Sequence, residues 1–147
     1  MKEQLRADLT TAMKARDELR TATLRMVLSA VSAEEVAGKE ARELSDDDVQ
    51  GVLRREAKKR REAAEAFGNA GRTGQAAREL AEGEVLAGYL PAQLDDADLA
   101  AIVADAVTST GASGMQDMGR VMGAATGVVA GRADGGRVAA EVRRQLG

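Results

Sequence analysis

The chain has 147 residues, 21 basic against 24 acidic, a net charge of −3, and neither histidine nor cysteine. Those two absences exclude imidazole bases, thiolate nucleophiles, Ser-His-Asp triads, disulfides and the usual structural zinc sites, and the near balance of charge speaks against indiscriminate attraction to nucleic acid or anionic lipid. Thirty alanines, thirteen leucines and thirteen valines against one Ile, one Phe, one Tyr and one Pro leave little from which to build a sheet, so the expected fold is all-α.

From Met1 to about Ala15, Leu5, Leu9, Ala12 and Met13 recur at i, i+4, i+7 and i+8, the one-sided stripe of an amphipathic helix. Asp17 can cap a second helix on Leu24, Val27, Leu28 and Val31, widened by Met26 and Val36, with Gly38 as a left-handed exit. Ser45 followed by Asp46, Asp47 and Asp48 is an S-x-x-D capping box with acids where the helix dipole favours them. The helix it opens runs on Val49, Val52, Leu53 and Phe67 to about residue 67, where the glycines among residues 68–74 and their neighbours halt it. A fourth helix spans about Thr73 to Leu90 through Leu80, Val85, Leu86 and Tyr89. It ends where Pro91 disfavours α geometry in the residue before it.

Beyond Leu94 the composition changes, with nine of the sixteen glycines at or after Gly111. A domain boundary near residue 94 follows: residues 1–94 form an N-terminal helical-hairpin domain of about four helices, and residues 95–147 a small three-helix domain. The three helices are expected at about Asp96 to Ser109, Gly114 to Ala130 and Gly135 to Leu146. Caps are supplied by the acidic start at Asp95, an S-x-x-Q box of Ser113 and Gln116, and Asp134. No apolar run approaches the roughly 20 residues of a membrane span, and MKEQLRADL carries acids where a signal peptide would be apolar. The chain is expected to be soluble and cytoplasmic, with no membrane partner.

Three features could carry function. Arg54, Arg55, Lys58, Lys59 and Arg61 share a broad side of the third helix and could track a phosphate backbone, although a solvated face paired to Glu56, Glu62 and Glu65 explains them as well. Gly119, Gly123, Gly127 and Gly131 recur every four residues, which permits close backbone approach by another helix of the chain or by a docked partner. Packing inside the C-terminal unit is the expected use, so Gly123→Leu should overpack and cost roughly 1 to 3 kcal/mol. Arg132 and Arg137 flank the Asp134-Gly135-Gly136 turn, where free amides at a helix start could receive an anion or simply be capped. Neither a catalytic constellation nor a metal or cofactor motif is read in the sequence. The acid pairs Glu34-Glu35 and Asp46 to Asp48 fit helix termini.

The segments Arg25-Met26-Val27, Gly71-Arg72, Tyr89-Leu90-Pro91-Ala92-Gln93-Leu94, Asp117-Met118-Gly119-Arg120-Val121-Met122-Gly123 and Gly131-Arg132-Ala133-Asp134-Gly135 together form a pattern that resembles the YqeY-like proteins of the GatB/YqeY family over essentially the full length. The resemblance implies an all-helical protein whose C-terminal unit is similar to the tail of the GatB subunit of the tRNA-dependent amidotransferase. In that enzyme the tail helps hold the tRNA, while phosphorylation and transamidation belong to another domain and glutamine hydrolysis to another subunit. The family label of carbon–nitrogen ligase with glutamine as donor is therefore implied by resemblance alone, and the chain is expected to be non-catalytic by itself. Arg120, Arg132 and Arg137 lie in or beside the tail-like motifs and are the first RNA-binding candidates, with the run from Arg54 to Arg61 as a separate one. The expected partners are tRNA or a tRNA-charging or amidotransferase complex, or else another protein.

Overall fold

A computed structural model describes every residue from Met1 to Gly147. The fold is all-helical, with seven α-helices and no strand: α1 Lys2–Lys14, α2 Glu18–Glu35, α3 Asp46–Asn69, α4 Thr73–Ala87, α5 Asp96–Thr110, α6 Met118–Val129 and α7 Gly135–Leu146. A single 3-10 turn, Met115–Asp117, precedes α6. No helix is long and apolar enough to cross a membrane. The chain divides into two compact units, Met1–Leu90 and Pro91–Gly147.

In the first unit α1 packs on α2, α3 on α4, and α2 on both α3 and α4. Its core is Leu5, Leu24, Val27, Val31, Val49, Val52, Leu53 and Leu86, all aliphatic and nearly inaccessible to water. Burying each such side chain contributes about 1.5–3 kcal/mol, which a chain this poor in aromatics must accumulate from many small contributions. Local chemistry starts two of the helices as expected. Asp17 accepts from the Arg20 amide at 3.1 Å, and Ser45 and Asp48 close a reciprocal capping box.

Two polar clamps fix this unit. Glu35 accepts from Lys2 Nζ at 2.7 Å and from the Leu44 amide at 3.1 Å, which joins the start of α1 to the end of α2 and to the segment before α3. The Lys2 ammonium and the Leu44 amide hold its carboxyl below the usual carboxylate range. Between α3 and α4, Arg60 lies against Glu82 at 3.1 Å, Glu56 at 3.5 Å and Glu79 at 3.6 Å. Its guanidinium also reaches Met26 Sδ of α2 at 2.9 Å. Arg60 thus leaves the solvated face of the basic run and becomes an interhelical cross-brace.

Several expectations are corrected here. Met13, Val36 and Leu80 are 49, 67 and 58% exposed and belong to no core face. Met13 lies at the end of α1 and Val36 beyond the end of α2, whereas Leu80 sits mid-way along α4 on its solvent side. Helix α2 stops at Glu35, before Gly38, and Gly38 does not adopt the left-handed region. The Ser113–Gln116 box does not form. Asp117 accepts from the Ser113 amide at 3.0 Å instead, and Gln116 only reaches Ser113 Oγ at 3.4 Å.

In the second unit α5 packs on α6 and α7, and α6 on α7. Leu99, Val103, Val121, Ala125, Val129, Val138 and Val142 fill the space between them. Asp95 caps α5 through the Asp98 amide at 2.7 Å, and Asp134 caps α7 through the Gly136 amide at 2.6 Å. Gly111 ends α5 with φ +66, a conformation a side chain would strain.

Candidate functional site

Helix α6 has two rows of residues spaced by four. Val121, Ala125 and Val129 are buried. Gly119, Gly123 and Gly127 are exposed, and a β-carbon added at any of the three meets no atom within 4 Å. The rows are offset by two residues, about 200° around the helix, so they occupy opposite sides. This overturns the expectation that the glycines pack inside the unit. Hydrophobic burial selects the valine row for the core, and the glycine row is left as bare backbone facing solvent. Gly131 does not share that row: with Ala130 at φ +49 and itself at φ +79, it forms the left-handed exit from α6.

The three arginines of the tail-like motifs are partly committed within the unit. Arg120 donates from Nη1 to the Thr110 carbonyl at 2.9 Å and from Nη2 to Asp117 at 2.5 Å. The Ser113 amide and this guanidinium hold the Asp117 carboxyl below its ordinary range. Arg132 donates from Nε to the Val129 carbonyl at 3.0 Å and from Nη2 to the Val128 carbonyl at 2.8 Å, so it caps the C-terminus of α6. Arg137 Nη2 pairs with Asp96 at 3.0 Å. Arg120 remains 59% exposed, with two of its five N–H donors used.

The turn carrying Arg132 is also anchored by the segment before α5. The Leu94 amide donates to the Arg132 carbonyl at 2.8 Å, and Gln93 Nε2 reaches the Gly131 carbonyl at 3.5 Å. The Gln93-Leu94 end of the YLPAQL motif therefore meets the GRADG motif. Of the basic run on α3, Arg54, Arg55, Lys58, Lys59 and Arg61 are all exposed. Arg55 pairs with Glu34 at 2.8 Å and Lys59 with Glu56 at 3.0 Å.

No three carboxylates converge so as to hold a metal ion. What the α6 face offers is access: exposed peptide groups with Arg120 beside Gly119 and the apolar side chains Met115 and Val128 exposed at its two ends. Sequence reading missed the bracing role of Arg60, whose signal is the Glu79 and Glu82 pair on the next helix. It also missed the corner between α1 and α2, where Arg16 stands at φ +56.

Comparison with known protein families finds a match to the family described as Yqey-like protein, over residues 2–146. None of the curated proteins matches the chain.

Proposed function

The chain belongs to the YqeY-like family, and from that premise we propose that it is a cytoplasmic tRNA-associated accessory module, related to the tail of the amidotransferase GatB subunit and working without chemistry of its own. The observation that carries this reading is the solvent-facing glycine row of α6. Gly123 and Gly127 each cost about 1 kcal/mol relative to alanine within the helix, and a β-carbon at either, or at Gly119 in the first turn, would meet no atom within 4 Å, so internal packing does not call for glycine there. A docked partner that needs close access to the helix backbone would.

A ribose-phosphate strand suits such a face, with the spare donors of Arg120 directed to phosphate oxygens and Arg137, at the start of α7, as a further contact in this reading. Phe67 and Tyr89 are the only aromatics, so base stacking supplies little and recognition reads backbone shape. In this reading carbon–nitrogen ligation with glutamine as donor belongs to the enzyme the module accompanies. A protein helix is the second candidate occupant, favoured by Val128 and Met115, 58 and 44% exposed at the ends of the face.

The test is filter binding of tRNA at two salt concentrations with Gly123→Leu as control. Two phosphate contacts weaken affinity about twelve-fold between roughly 50 and 200 mM salt. Gly123→Leu, which meets open space in the free protein, abolishes retention without unfolding. Failure of the folded wild type to retain tRNA at low salt removes the RNA reading and leaves the protein partner. Turnover by the purified protein with glutamine, ATP and misacylated tRNA removes both.

A further inference from the structure

The corner between α1 and α2 holds a cleft that the glycine face does not involve. Helix α1 stops in a Schellman arrangement: the Asp17 amide donates to the Ala12 carbonyl at 3.0 Å and the Arg16 amide to the Met13 carbonyl at 3.2 Å. That arrangement puts one residue in the left-handed region, where a β-carbon crowds the following carbonyl and glycine is favoured. The residue here is Arg16, at φ +56. A guanidinium therefore stands where backbone energetics select against any side chain.

Around it opens a cleft of about 460 Å³ lined by Met13, Arg16, Glu18, Thr21, Ala22 and Arg25. Glu18 is the one acid of this lining, and both its oxygens are taken by Arg78, each at 3.0 Å. Arg25 finds only a thioether, Met13 Sδ at 3.7 Å, and Arg16 has no side-chain partner. Arg42, Arg55, Arg60 and Arg78 of the same unit each have a carboxylate within 3.1 Å, whereas Arg6 and Arg54, like Arg16 and Arg25, make no ion pair. The cleft thus contains two exposed guanidiniums, neither of which makes an ion pair.

The geometry points to an oxyanion subsite for phosphoryl groups, with Arg16 and Arg25 as the two forks and the Thr21 hydroxyl as a further donor. Guanidinium donors match pairs of phosphate oxygens, and two forks suit adjacent phosphates. The depression is open to solvent and wide enough for more than a single phosphate, with Met13 and Ala22 as an apolar side for the organic part of the ligand. The phosphates belong either to a free diphosphate or to the backbone of a bound RNA. The subsite does not depend on the α6 face being an RNA surface.

Inorganic pyrophosphate, titrated into the full chain and followed through the backbone amides of residues 16–22 by NMR, tests the subsite. Arg16→Gly is the informative variant, because glycine relieves the left-handed backbone. It should melt higher than wild type and yet bind pyrophosphate about tenfold more weakly, the effect of one lost charged hydrogen bond. Arg25→Lys keeps the charge but loses the fork and should also weaken binding. Equal affinity in Arg16→Gly, or equal displacement of pyrophosphate by chloride or acetate, overturns the subsite. A second arm with tRNA separates the sources. Perturbation of the same amides by tRNA, lost in Arg16→Gly and retained in Gly123→Leu, assigns the phosphates to RNA, and response to pyrophosphate alone assigns them to a free ligand. Response to neither overturns the cleft and leaves the α6 face to be judged by Gly123→Leu.

Discussion

The Tyr89 hydroxyl donates to Asp8 Oδ2 at 2.5 Å across 81 positions of sequence, and accepts from Arg20 Nη2 at 3.2 Å. One phenol therefore ties the segment after α4 to both α1 and α2. Burial, followed by the neighbouring Asp8 carboxylate, pushes it up from 10.0 to about 12. A raised folded value means that this tie stabilises the unit fully below pH 10 and is lost as the pH rises through about 12. Tyr89→Phe is expected to lower stability by about 1 to 2 kcal/mol at neutral pH and to flatten the decline above pH 10. Urea unfolding across that range checks both, and the ring resonance of the sole tyrosine gives the titration directly.

The glycine row of α6 reverses the expected effect of substitution there. Gly119→Ala, Gly123→Ala and Gly127→Ala each meet open space and should stabilise the C-terminal unit by about 0.5 to 1 kcal/mol. Thermal unfolding of the triple variant should shift upward, and a drop in its melting temperature would mean that the row is covered.

Arg132 should matter for folding before it matters for any ligand. Removing its side chain leaves the Val128 carbonyl without its donor and the Val129 carbonyl with the Arg132 backbone amide alone, and is expected to cost about 1 to 3 kcal/mol. Arg132→Ala should speed amide exchange at the C-terminal end of α6, with helices α1 to α4 unaffected. Unchanged exchange there would remove the capping role.

Glu141 sets an acid limit for the last helix. Arg144 and then Gln145 donate to its carboxylate, holding it down from 4.5 to about 2. A depressed folded value means that its contribution is present above about pH 4.5 and is lost as the pH falls toward 2. Arg144→Gln should move the Glu141 titration, read by carboxyl NMR, toward its ordinary value.

Caps and stripes were legible because they are decided within a few residues. Ser45 with Asp48, Asp17, Asp95 and Asp134 all act as their spacing implies. Which of two four-residue rows on α6 faces inward was legible only in part: spacing treats Val121-Ala125-Val129 and Gly119-Gly123-Gly127 alike, and burial favours the row with more apolar surface. Arg60 and Arg16 were illegible for a different reason. The partners that make Arg60 a brace, Glu79 and Glu82, lie on another helix, and the strain at Arg16 depends on a turn type that several sequences can adopt. Of the arginines proposed for a ligand, the sequence located Arg120, Arg132 and Arg137 but could not reveal how far each is already engaged.

Phe67 and Tyr89 both lie in Met1–Leu90, and the chain contains no tryptophan. The C-terminal unit is therefore optically mute in the near ultraviolet. Intrinsic emission during a melt registers the first unit alone, whereas far-ultraviolet dichroism sums the helices of both. Disagreement between the two signals measures how independently the units unfold, without a label or an added chromophore.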